Sequence, residues 1–245
     1  MRQIASRFVY RLEWPAFFAL ILLAWAGLWA LQPEAGAAPM PGMRNPYWTV
    51  LAMWLLMVAA MMAPSLVPTL ATYRDLARAG AGAGGGFAAL VLGYLLVWSG
   101  FAGLAAGAQT GLARAGLLGG GGASVSWALN AALLALAGLY QLSPVQRACA
   151  SRCRSPLSFF IGHWRDGAAG ALRMGLRLGV LCLGCCWALM ALGFVGGVMN
   201  LAWMGLATLL MALEKLPGTG PRLDRPLAVL LLAGAGLAAL RALAI

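Results

Sequence analysis

Residues Leu176–Val195 read L-R-L-G-V-L-C-L-G-C-C-W-A-L-M-A-L-G-F-V, an apolar run long enough to cross a membrane as one helix. Cys182, Cys185 and Cys186 lie within this run at a spacing that places all three on one face of a helix. Met190 continues the same face four residues further on. Soft sulfur ligands suit Cu(I), Zn(II) or an iron–sulfur centre. Cysteine also packs as a small apolar residue, so the pattern alone is compatible with a metal site or with a plain helix interface.

The composition indicates a membrane protein. Hydrophobic residues make up 62% of the 245-residue chain and charged residues 9%, whereas soluble domains carry about 25% charged residues. The formal net charge is +11, and the arginines stand in short segments between apolar runs, where they act as topology signals and contact anionic lipid. A nucleic-acid-binding protein would need a soluble basic face. We therefore expect the lipid bilayer, and no nucleic acid, as a partner.

Seven apolar runs are candidates for transmembrane helices. They cover approximately residues 14–31, 47–66, 87–108, 124–142, 174–193, 197–213 and 227–244. A more polar stretch, residues 143–173, separates the fourth run from the fifth and is expected in the cytoplasm. The pattern predicts an all-α fold, a polytopic transmembrane helical bundle with seven spans that forms a single domain over residues 1–245. Six spans remain if the first run is removed as a signal sequence.

The basic residues predict the orientation of the bundle. With the N-terminus in the cytoplasm, thirteen of the 17 lysines and arginines fall on the cytoplasmic side and three on the other, while Arg177 lies inside the fifth run. This asymmetry agrees with the positive-inside rule. We therefore expect a cytoplasmic N-terminus and a C-terminus on the opposite side.

Proline and glycine positions predict where the helices end and where they pack. Pro64 and Pro68 are expected to end or kink the second helix. Small residues let membrane helices approach closely. The third helix carries four glycines that we expect at such contacts: Gly93, Gly100, Gly103 and Gly107.

Methionines in other spans extend the sulfur pattern. At a rise of about 1.5 Å per residue, Met57 and Met61 of the second span reach a depth similar to that of the three cysteines near the middle of the membrane. Sulfur from the second, fifth and sixth spans would then converge in one buried region. The alternative is that these methionines only fill gaps between helices.

A second group of candidate ligands lies in the polar stretch. Cys149 and Cys153 are spaced to lie side by side on a helical turn, and His163 is the chain's one histidine. Together they could hold zinc or copper at a cytoplasmic entry or exit site, although the spacing is not that of a zinc finger. The alternative is an amphipathic surface helix whose arginines meet lipid phosphates.

Glu214 stands where the sixth span should emerge from the membrane. Its carboxylate could be a metal ligand or a proton carrier, or a helix-end charge paired with Lys215 or an arginine. The chain offers neither a serine–histidine–aspartate set nor a pair of carboxylates for acid–base catalysis. We therefore predict no catalytic residues and no organic cofactor, and an enzyme is not the expected function.

Six segments together resemble a bacterial family of predicted metal-binding integral membrane proteins. They are W-L-L-M-V-A-A-M-M-A-P-S at Trp54–Ser65, G-Y-L-L-V-W at Gly93–Trp98, G-L-Y-Q-L-S-P-V-Q-R-A-C-A-S-R-C-R-S-P at Gly138–Pro156, C-L-G-C-C-W-A-L-M at Cys182–Met190, G-G-V-M-N-L-A-W-M at Gly196–Met204, and E-K at Glu214–Lys215. The resemblance covers roughly residues 47–216. It implies a multi-pass protein of the bacterial inner membrane that binds a metal.

The resemblance also implies a set of ligands. By the matching segments, these are Cys182, Cys185, Cys186, Cys149, Cys153, Met61 and Met62. Relatives often carry a histidine four residues before the first cysteine of C-x-G-C-C, where this chain has Leu178. Loss of that imidazole would shift the preference toward all-sulfur Cu(I), or would mark a degenerate site.

We therefore expect a membrane protein that binds a soft transition metal, copper rather than zinc, for transport, sensing or delivery to a metal donor or acceptor protein. Cys182, Cys185 and Cys186 would be the primary ligands, with Met57, Met61 or Met190 completing the shell. Two alternatives stay open: a structural or assembly subunit in which sulfur is only packing, and a membrane redox enzyme that uses the thiols or a bound metal. The sequence leaves open the metal, the direction of transport, the oligomeric state and the partner.

Overall fold

The chain folds almost entirely into helices. The computed structural model describes residues 2–30, 47–81, 86–216 and 218–244. Within these ranges the α-helices are α1 Arg2–Ala30, α2 Tyr47–Leu76, α3 Gly86–Arg114, α4 Trp127–Gln141, α5 Pro144–Cys153, α6 Pro156–His163, α7 Gly167–Ala191, α8 Gly193–Gly196, α9 Leu201–Glu214 and α10 Gly220–Leu243. The all-α prediction is confirmed for the described residues, whose one β-type pairing is an isolated bridge between Leu118 and Ser124.

Four helices are long and apolar enough to cross a membrane: α2, α3, α7 and α10. Helices α4 and α5 pass the same test only as a pair, and they are bent by 65° at the break between them. The apolar part of α1, Trp14–Ala30, and the whole of α9 are shorter apolar helices. The described residues therefore contain four candidate spans, or five with the bent pair. The total of seven spans and the orientation of the N-terminus remain predictions.

Helix α2 runs through both of its prolines. It continues to Leu76, beyond the expected end at residue 66. Membrane helices tolerate proline within their length. Here the Ser65 and Tyr94 hydroxyls both donate to the Met62 carbonyl, at 2.7 and 3.3 Å. Both prolines therefore lie within one continuous helix, and the part of α2 that follows Pro64 also packs into the core.

Helices α3 and α7 form the closest helix pair in the core. A Cβ atom on Gly175 would lie less than 3.0 Å from the Leu90 carbonyl, and one on Gly93 less than 3.0 Å from the Leu172 carbonyl, so the two backbones touch. Gly93 is thus a packing glycine as predicted. The other three glycines expected at helix contacts do not make such an approach: Gly100, Gly103 and Gly107. They were assigned from composition alone, and they lie on faces where a side chain has room.

The break between α4 and α5 turns the chain back toward α7. Ser143 caps α5 by accepting a hydrogen bond of 3.1 Å from the Gln146 amide, and Pro144 occupies the first turn, where its missing N–H is not needed. Helix α4 packs along α10, while α5 packs against α7. Residues 144–153 were expected in a separate cytoplasmic segment, but the bend brings them onto the helix that carries the three cysteines.

Candidate metal centre

The thiols of Cys182, Cys185 and Cys186 form one compact cluster inside the bundle. Their Sγ atoms all lie within 4.8 Å of one another, and the Cys185 and Cys186 sulfurs are 3.2 Å apart. All three side chains are at most 4% exposed. Among the residues that the structure describes, this is the one group of three or more histidine, cysteine or acidic side chains so close together. The face of α7 that carries these sulfurs therefore points into the protein.

Two polar side chains from other elements contact the Cys182 sulfur. The Tyr94 hydroxyl of α3 lies 2.9 Å from Cys182 Sγ, and the Lys215 ammonium donates to the same atom at 3.0 Å. Lys215 also donates to the Ser65 hydroxyl of α2 at 2.6 Å. The ammonium supplies a counter-charge for the anionic sulfur that metal binding requires. Helices α2, α3 and α7 and the residue that follows α9 therefore meet at this thiol.

A small cleft opens beside Cys182. Ser65, Tyr94, Lys215 and Cys153 line it together with the thiol. Leu178 also lines it, one helical turn before Cys182. The position at which the family resemblance implies a histidine is thus part of the wall of this cleft, and this chain presents an isobutyl group there. We call this space the cysteine cleft.

Lys215 is held in place by the polar groups at the end of α9. The Arg154 guanidinium, buried at the end of α5, donates to the Glu214 backbone carbonyl at 2.7 Å and to the Asp224 carboxylate of α10, also at 2.7 Å. The Gln141 side-chain amide of α4 donates to the Glu214 carboxylate. These bonds tie α4, α5 and α10 to the last turn of α9, and they fix the point from which Lys215 reaches Cys182.

Glu214 belongs to this network and not to the cysteine cluster. Its carboxylate accepts from Gln141, and the described residues place it outside the group of potential ligands. The expected pairing with Lys215 does not form, because the ammonium turns toward Cys182 and Ser65.

The three candidate ligands of the polar stretch do not form a cluster of their own. Cys153 borders the cysteine cleft, and Cys149 lies against Gly184 of α7. His163 ends α6, where its ring stacks on Phe159 at 5.0 Å and its Nδ1 lies 2.9 Å from the Phe159 carbonyl. The helix break after Cys153 carries the histidine away along α6, so the two cysteines turn toward α7 without it.

Four methionines line a second small cavity. Met57 and Met61 come from α2, Met190 from α7 and Met204 from α9. Met62 is fully buried but does not line this cavity, and its backbone carbonyl accepts from Tyr94 instead. Sulfur from the three expected helices thus lies around one space, which is separate from the cysteine cleft. We call it the methionine chamber.

Sequence reasoning missed three polar residues of the cysteine cleft: Ser65, Tyr94 and Lys215. Each one falls inside a segment that carried the family resemblance. Each is also a hydroxyl or charged group within or beside an apolar helix, a position where polar groups are costly unless they have partners. That cost was a usable signal, but their partners lie in other elements and could not be identified from spacing: Tyr94 and Lys215 contact Cys182, and Ser65 accepts from Lys215.

Comparison with known proteins gives one match. A model of the PpoB2 family, described as copper chaperone, matches residues 51–238, well over half of the chain. The matched range includes all three clustered cysteines, the four methionines of the chamber and Lys215. No curated protein and no solved structure matches the chain.

Proposed function

Because the chain belongs to the PpoB2 copper chaperone family, we propose that it binds Cu(I) through Cys182, Cys185 and Cys186 within a membrane-embedded helical bundle and delivers the ion to a partner protein. One observation carries the proposal: three buried thiols of one helix lie within 4.8 Å of one another. Copper is the cargo in this proposal, and the chain supplies its ligands and their counter-charge.

The ligand set favours Cu(I) over Zn(II). Three soft sulfur atoms, with no histidine or carboxylate in the group, match the preference of Cu(I). Structural zinc sites almost always use four protein ligands. The adjacent Lys215 ammonium also repels a divalent ion more strongly than a monovalent one.

Lys215 and Ser65 supply a route for loading and release. A thiol loses its proton when it binds a metal. The Lys215 ammonium must then give up its hydrogen bond to Cys182 so that the ion can bind the sulfur. Since Lys215 already donates to Ser65, it can keep a hydrogen bond while the metal occupies the thiol. When the ion leaves for a partner, the ammonium can return to Cys182 and stabilise the vacated sulfur.

We place this site in a bacterial inner membrane. The candidate spans α2, α3, α7 and α10, the bent pair α4–α5, and the shorter apolar helices α1 and α9 would together give the seven predicted spans. Many leucines on the outer faces of these helices are exposed, including Leu22, Leu23 and Leu104, each at least 69%. Such side chains suit a lipid environment. With the N-terminus inside, Lys215 and the cysteine cleft would open toward the cytoplasm.

Metal analysis tests the proposal. The full chain is purified in detergent, loaded anaerobically with Cu(I), passed through a desalting column and analysed for bound copper. The variant with Cys182, Cys185 and Cys186 all changed to serine is expected to lose the copper that these thiols hold. The matched control is Cys149→Ser, a half-buried cysteine outside the cluster, which is expected to keep it. Equal amounts of bound copper in the triple variant and in the wild type would mean that the three cysteines only pack between helices.

A further inference from the structure

We infer that the methionine chamber is a second Cu(I) site, formed by the thioethers of Met57, Met61, Met190 and Met204 and distinct from the cysteine cluster. The inference rests on the proposed function in one respect, since the ion is the copper that the cysteines are proposed to bind. It changes the role expected for Met57, Met61 and Met190, from completing the cysteine shell to forming a site of their own.

The placement of the methionines argues against a simple packing role. All four are buried, with exposures between 2% and 4%, and they come from three different helices. Buried methionines usually fill irregular gaps in a core. These four side chains instead border one small cavity of about 10 Å³, close to the space that one water molecule needs. The methionines therefore line a space of the size that a single ion would occupy.

The cysteine cleft and the methionine chamber follow each other along the same three helices. From cleft to chamber, α2 contributes Ser65 and then Met57, and α7 contributes Cys182 and then Met190. On the third helix of this path, α9, Lys215 directly follows the last residue and Met204 lies near the start. At about 1.5 Å per residue, these separations correspond to roughly 12 Å on α2 and α7 and roughly 16 Å on α9.

Cys186 and Met61 lie between the two ends of this path. Cys186 belongs to the thiol cluster and precedes Met190 by one helical turn, while Met61 lies one turn from Met57 on the side of Ser65. Sulfur atoms therefore continue from the cleft toward the chamber. An ion that leaves the thiols would meet thioethers next, in the direction away from Lys215.

The chemistry of the chamber selects a soft monovalent ion. Thioethers are neutral soft ligands that favour Cu(I) over hard divalent ions. No charged side chain lines the chamber, so a bound ion would keep its positive charge in an apolar setting, which costs free energy. At the cysteine cluster, in contrast, anionic sulfur would offset the charge of the bound ion. The chamber is therefore the weaker site, and copper should fill it only after the cysteines.

Copper stoichiometry in three proteins tests the inference. The full chain in detergent is titrated anaerobically with Cu(I) supplied as its acetonitrile complex, and free and bound copper are separated by equilibrium dialysis. The test variant changes Met57, Met61, Met190 and Met204 to leucine, an almost volume-conserving replacement. The control changes three other buried methionines to leucine: Met53, Met174 and Met211, none of which lines the chamber. Thermal unfolding of each variant checks that it is folded.

The wild type and the control are expected to bind about two ions per chain in two phases, and the chamber variant about one ion in the tight phase alone. The cysteine triple variant is expected to lose the tight phase and keep the weak one. Two phases that persist in the chamber variant would overturn the second site and leave the proposed function standing. A tight phase that persists in the triple variant would overturn the proposed function. Even then, loss of the weak phase in the chamber variant, with that phase kept in the control, would support the second site.

Discussion

Cys182 is the residue at which the electrostatics of the site are concentrated. Its sulfur contacts two other polar side chains, the Tyr94 hydroxyl and the Lys215 ammonium. A fixed positive charge next to a metal ligand opposes any cation that binds there, and the opposition grows with the charge of the ion. The choice between a monovalent and a divalent metal therefore depends in part on one lysine outside the cysteine motif.

Changing Lys215 to leucine, which removes the charge and adds no metal-binding atom, should make the site less selective against zinc. A unit charge about 5 Å from the metal contributes roughly 3 kcal/mol for each metal charge at an effective dielectric constant near 20. Because the lysine side chain can move, we expect a smaller effect, a rise of about tenfold in the ratio of Zn(II) to Cu(I) affinity. Competition dialysis of the two ions against the purified protein measures this ratio.

The control for this variant is Lys215→Arg, which keeps the charge and should keep the wild-type ratio. Equal ratios in the leucine and arginine variants would mean that the ammonium does not act on the bound ion.

At the scale of helices, the contact between α3 and α7 decides where the cysteines and Tyr94 stand relative to each other. The backbones touch at Gly93 and Gly175, and α3 and α7 carry Tyr94 and Cys182 respectively. A side chain at the contact would push the helices apart, because the atoms it would meet are backbone carbonyls that cannot turn away.

Gly93→Ala should therefore destabilise the protein by about 1–3 kcal/mol and weaken Cu(I) binding by separating Tyr94 from Cys182. Gly100→Ala, on the same helix with nothing within 4 Å of the added methyl group, is the matched control and should be nearly neutral. Thermal unfolding in detergent and copper titration compare the two. Similar losses in both variants would point to helix flexibility and not to the α3–α7 contact.

For the whole molecule, the two cavities lie at different positions along the helices. The cysteine cleft lies at the Lys215 end, and the methionine chamber lies toward the turn between α7 and α9. The basic residues predict that the Lys215 end faces the cytoplasm. Copper taken up at the cleft would then move away from the cytoplasm as it reaches the chamber.

Reporter fusions test this orientation. A fluorescent protein that folds only in the cytoplasm should remain dark at the C-terminus and should fluoresce when inserted after Gly218, between α9 and α10. A phosphatase that is active only outside the cytoplasm should give the opposite pattern. The reverse result would mean that the cysteine cleft faces away from the cytoplasm, and it would not affect the two proposed metal sites.

Helical periodicity and hydropathy are local properties of the chain, so the all-α fold, the apolar helices and the face of α7 that carries the cysteines could be predicted from the residues alone. The residues that meet that face could not, because they come from other helices. Tyr94 and Lys215 reach Cys182 from two other elements, Ser65 of α2 binds Lys215, and Cys153 reaches the same cleft because α5 bends back onto α7. His163 and Glu214, chosen for their chemistry, lie elsewhere because a helix break and a polar network hold them there. Contacts between helices depend on their packing order and rotation, and spacing within one helix carries no information about either.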